Sequence, residues 1–167
     1  ANVLAAIQLQ VEAALDYDKL LDKLRGSEGK KNIRDQQNAL ITSLNLRLNG
    51  VSKKRTRLYE DYAEGLLDEA EYSFAKKSYD EQYADLSRRL DEAVQRRSKF
   101  DEAMSVDNKW ITLMKSVSTA TQLSQDLVDE SVELVKVHEG GAVELVMKYG
   151  DIYELTIQSI KEVQEAM

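Results

Sequence analysis

Between Val3 and Met104 the apolar residues recur at spacings of three and four, the signature of helices with one buried stripe. The first predicted helix covers residues 2–24, with Val3, Ile7, Val11, Ala14, Leu15, Leu20, Leu21 and Leu24 on its stripe. Gly26, Ser27 and Gly29 break it. The second runs from Asn32 to Glu64 along Ile33, Gln37, Leu40, Leu44, Leu48, Val51, Arg55, Leu58 and Tyr62, with Ile41 and Leu46 broadening the stripe. Gly50 weakens it locally by about 1 kcal/mol relative to alanine. Gly65 ends it, as glycine does past a helix C-terminus. Asp68 then caps a third helix, with Glu71 placed for a capping box. That helix spans Glu69 to Met104. Its seam is Tyr72, Lys76, Tyr79, Tyr83, Leu86, Leu90, Val94, Arg97, Asp101 and Met104, flanked by Ala93 and Phe100, with the mean spacing of a coiled coil.

The second and third helices fit one antiparallel register, in which facing residue numbers sum to 134. It sets Tyr62 on Tyr72, Leu58 on Lys76, Arg55 on Tyr79, Val51 on Tyr83, Leu48 on Leu86, Leu44 on Leu90, Leu40 on Val94 and Gln37 on Arg97. Ile33 lands beside Phe100. Each helix is roughly 35 residues long, which makes an arm of about 50 Å. The expected architecture is therefore mainly α: a long antiparallel two-helix coiled-coil arm projecting from a small α+β base.

The rest of the chain builds that base. Asn108 to Val117 is a short amphipathic helix carrying Trp110, residues 118–121 are loop, and Leu123 to Val132 is helical. Two strands follow, Val132 to His138 and Ala142 to Tyr149, joined through Glu139, Gly140 and Gly141. Val143, Leu145, Met147 and Tyr149 mark one face. Asp151 caps a last helix with Ile152, Leu155, Ile160 and Val163 on its stripe. The expected division is a base helix and linker at 1–31, the arm at 32–104 with its bend at 65–68, and a return to the base at 105–167.

Composition narrows the function. Charged residues make up 32% of the 167 positions, aromatics 7%, and proline is absent, which favours long solvated helices. The net charge of −7 argues against strong autonomous DNA binding. With no cysteine, disulfides and thiolate zinc sites within the chain are excluded, which fits a cytoplasmic setting. No apolar run reaches the roughly 20 residues that span a bilayer. The start at Ala1 reads as a cut from a longer protein.

No catalytic constellation stands out. The single histidine, His138, lies at a strand end, and the carboxylates lie on helix faces. Lys53, Lys54, Arg55 and Arg57 form one basic run, and Arg88, Arg89, Arg96, Arg97 and Lys99 another. Each reads either as a solvated face with interhelical ion pairs, Lys53 and Lys54 near Asp80 and Glu81, or as phosphate contacts, with Lys53, Lys54 and Arg57 the candidates. At the bend, Tyr59, Tyr62, Leu66, Leu67, Tyr72 and Phe74 crowd together. Some close the hairpin. A two-helix end cannot bury all of them, so the tip is a candidate protein contact through Tyr62, Leu66, Leu67, Tyr72 and Phe74.

The stretch from Arg57 to Tyr72, RLYEDYAEGLLDEAEY, resembles the coiled-coil bend of large serine recombinases. The segment from Leu123 to Tyr149 resembles the same family's helix and strand hairpin, and Val3 to Gln10 resembles the helix that follows its zinc ribbon. The resemblance covers nearly the whole chain, in order. It implies a parent enzyme that inserts, excises or transposes DNA through a serine nucleophile. The catalytic domain, the recombinase domain and the zinc-binding cysteines would then precede Ala1, and this chain itself would carry no catalytic, cofactor or metal residue. It implies other recombinase subunits as partners of the arm tip, DNA contacted through the parent, and no membrane. In the family, contacts between coiled coils hold synapsed DNA ends together and set reaction direction. The alternative is a structural coiled-coil spacer or adaptor with no DNA role, which the helical hairpin fits equally but which has no need of the strand hairpin.

Overall fold

The computed structural model describes residues 2–119, 122 and 124–167. Ala1, the loop end at Thr121 and the helix start expected at Leu123 lie outside the described residues. Among the described residues the order is α1 (Asn2–Leu24), α2 (Glu28–Ala63), α3 (Glu69–Ala103), α4 (Lys109–Ser116), α5 (Gln125–Ser131), β1 (Val132–Val137), β2 (Val143–Met147) and α6 (Gly150–Glu165). The chain divides into two compact units, Ala1–Ile33 with Lys99–Met167, and Arg34–Ser98. The ends of α2 and α3 nearest Ile33 and Lys99 thus belong to the first unit.

The first unit is a packed core. α1 contributes Ile7, Val11, Ala14, Leu21 and Leu24, α4 contributes Trp110, Ile111 and Met114, and α6 contributes Ile152, Ile160 and Val163. Phe100 and Met104 are buried among them, with Ile33 packed alongside, as expected for the Ile33–Phe100 layer. Each large side chain buried this way stabilises the fold by about 1.5–3 kcal/mol. Leu15, expected on the α1 stripe, is exposed instead. One buried side chain joins three elements: Asn108 accepts from the Ile111 N–H at 3.1 Å and donates to the Ala103 carbonyl at 2.9 Å and to Thr156 Oγ1 at 2.8 Å. It caps α4 while holding the end of α3 and the middle of α6.

α2 begins at Glu28 rather than at the expected Asn32. The reason is Ser27, whose Oγ donates to the Leu24 carbonyl at 2.7 Å and accepts from the Lys30 N–H at 3.2 Å. One serine closes α1 and caps α2, so the break shrinks to Arg25–Ser27. Gly29 is not part of it. A Cβ at Gly29 would stand 2.3 Å from the Val163 carbonyl oxygen, so this glycine permits close approach to α6. α5 is capped by Ser124, whose side chain accepts from the Leu127 N–H.

β1 and β2 form a two-stranded antiparallel sheet with an irregularity between Val132 and Leu134. Both strands are shorter than expected. His138 and Ala142 are drawn into the turn, where the His138 N–H donates to the Ala142 carbonyl at 2.9 Å. Gly140 and Gly141 supply φ of +94° and +82°, values that other residues rarely adopt. Leu145 and Met147 pack on the first core, whereas Val143 and Tyr149 are exposed. The expected one-sided face therefore holds only for its inner half. Tyr149, in the left-handed region, precedes α6. Asp151, expected as the cap, lies inside the first turn because the helix already starts at Gly150. On α6, Thr156 and Ser159 are buried beside Ile152, Ile160 and Val163.

In the second unit α2 and α3 pack together. Leu44, Val51, Leu86 and Ala93 are buried, with Ile41, Leu48, Tyr79, Tyr83 and Leu90 against them. Two expected seam members are wrong by one position. Leu40 and Val94 are exposed, and Leu46 is more so; Ile41 and Ala93 fill the layer instead. The substitution keeps the register sum and gives an unbroken alternation of four and three from Gln37 to Tyr62 and from Tyr72 to Arg97. Gln37 is half-buried with its Oε1 unpartnered. Arg97 donates to Asn38 Oδ1 at 3.0 Å rather than to Gln37, since its long stem carries the guanidinium out to the exposed neighbour.

Truncating Leu44 to alanine is expected to cost about 2–5 kcal/mol and lower the thermal midpoint; an unchanged midpoint in a melting experiment would refute the seam. The two glycines should respond with opposite signs. Gly29→Ala forces a methyl into the Val163 backbone and destabilises the fold by about 1–3 kcal/mol, which lowers the midpoint. Gly50→Ala meets nothing within 4 Å and should stabilise the helix by about 1 kcal/mol, which raises the midpoint.

Candidate partner-binding tip

The bend between α2 and α3 is fixed by backbone and side-chain hydrogen bonds. The Leu66 N–H donates to the Asp61 carbonyl at 2.9 Å and the Gly65 N–H to the Tyr62 carbonyl at 3.0 Å. Gly65 takes φ +77°. This is a Schellman ending, and it satisfies two otherwise orphaned carbonyls. On the other side, the Asp68 N–H donates to Glu71 Oε2 at 3.0 Å and the Glu71 N–H to Asp68 Oδ1 at 2.8 Å. The capping box read from the sequence is present in both directions.

The apolar residues of the tip fall into two groups. Tyr62 and Tyr72 stack at 4.3 Å between centroids, 16° from parallel, where the register places them. They close the end of the seam, with Leu67 half-buried beside the bend. Tyr59, Leu66 and Phe74 stay in solvent, with 62%, 67% and 80% of their surface exposed. The candidate contact set Tyr62, Leu66, Leu67, Tyr72 and Phe74 thus comprises a stacked pair, Tyr62 and Tyr72, that closes the seam, Leu67 half-buried beside it, and the outward Leu66 and Phe74. Tyr59 joins the outward group, although the register alone leaves it unassigned.

Below the stack lies a polar layer that the sequence reading missed. Asp80 receives Lys76 Nζ at 2.7 Å on one oxygen and Arg55 Nη2 at 2.8 Å on the other as an ion pair. The Arg55 guanidinium also lies 4.7 Å over the ring of Tyr83, one turn beyond the expected Tyr79, because Asp80 draws it there. Hence Asp80 is held by Arg55 and Lys76, not by Lys53 or Lys54. The signal in the sequence was two polar residues, Arg55 and Lys76, at seam positions near the tip. The hydrogen bond from Lys76, then its charge and that of Arg55, hold the Asp80 carboxyl below its ordinary pKa, and the same contact raises that of Lys76.

The candidate phosphate contacts Lys53, Lys54 and Arg57 are exposed. Lys53 and Arg57 share an open hollow with Glu60, Asp61 and Glu64, a mixed rather than a basic surface. In the second run Arg88 pairs with Asp85 and Glu92, both at 2.7 Å, and Arg89 with Asp85 at 3.8 Å. His138 meets Glu144 at 2.9 Å, and Lys136 meets the same carboxylate at 3.1 Å, on the exposed strand hairpin. Among the described residues no group of three or more acidic, histidine or cysteine side chains is placed to hold a metal ion, and no helix is long and apolar enough to cross a membrane. Compared with known proteins, the chain matches no family model, no curated protein and no solved structure.

The lowered Asp80 carboxyl has a sign that can be checked. Its contribution to stability is complete above the ordinary aspartate range and is lost as pH falls through the lower, folded value. Asp80→Asn is expected to lack that contribution at neutral pH and to show a shallower acid-side decline of the thermal midpoint. Parallel acid profiles for the two proteins would contradict the ion-pair layer.

Proposed function

We propose that this chain is a non-catalytic C-terminal region of a serine site-specific DNA recombinase, and that its helical hairpin joins subunits during synapsis and helps to set the direction of integration or excision. The observation that carries the reading is the tip. Two tyrosines suffice to close the hairpin, yet Tyr59, Leu66 and Phe74 stand in solvent on well-capped helix ends. Exposed apolar groups on a rigid support are the usual form of a protein contact. The pattern from Arg57 to Tyr72 supplies the family, by its resemblance to the coiled-coil bend of large serine recombinases. DNA affinity and chemistry would come from the parent protein, with zinc held by residues outside this chain. A spacer with no DNA role accounts for the paired helices but gives no reason for the exposed tip.

In the full-length recombinase, Leu67→Asp combined with Phe74→Asp is expected to abolish formation of the two-site synaptic complex in a gel-shift assay while single-site DNA binding stays intact. Synapsis at the wild-type level would refute the tip assignment. The isolated chain is expected to bind DNA weakly and lose that binding with added salt.

A further inference from the structure

We draw no further inference here: the strongest candidate, the surface patch of Val135, Val137 and Val143 on the outer half of the strand hairpin, is an exposed apolar face, and nothing in the structure shows what covers it.

Discussion

Neither α2 nor α3 can stand alone in water. Each carries only a narrow apolar stripe on a helix of 36 or 35 residues, and helices gain most of their stability from what such a stripe covers. Their mutual burial, from Gln37 and Arg97 at one end to Tyr62 and Tyr72 at the other, is the constraint from which the rest of the second unit follows. Strict alternation of three and four keeps the two stripes in contact over that length. Once the register is set, Gly65 and Asp68 must fall at the bend, and Arg55 must meet Asp80. Every side chain off the stripe is committed to solvent or to a partner.

That commitment turns a structural element into a candidate binding element. A tip closed by the Tyr62–Tyr72 stack and two backbone capping motifs holds its exposed groups on a fixed support, which lowers the entropic cost of binding. The polar layer beneath it adds direction rather than much stability. Asp80 meets a cation from each helix at once, and a slip by one turn would strand its charge. Polar residues in coiled-coil seams act in this way, selecting one register at some expense in stability.

Much of this was legible in the chain. The period, the bend and its capping box, the Tyr62–Tyr72 pair, the strand hairpin and the short Trp110 helix all follow from local spacing, because local hydrogen bonds and amphipathicity decide them. What was not legible depends on contacts distant in sequence. Gly29 reads as a breaker until Val163 is seen against it. Asn108 is a plain helix cap until Thr156 supplies its second partner. The choice between Leu40 and Ile41, or Ala93 and Val94, turns on one position of phase between two apolar residues, and only the packed partner helix resolves it. At the tip, the sequence named the residues but not their division into closers and exposed groups, since that depends on which ring the opposing helix brings near.

The proposed subunit contact requires tips of different subunits to meet when DNA sites are brought together. This chain has no cysteine, but the proposed parent would carry zinc-binding ones, so a photo-reactive amino acid in place of Leu66 is the unambiguous probe. If the chain belongs to a serine recombinase as proposed, photo-cross-linking of the full-length protein from position 66 is expected to yield covalent subunit pairs when two partner DNA sites are present and few with one site. Absence of cross-links in assembled synapses, or equal yield with and without a second site, would contradict it.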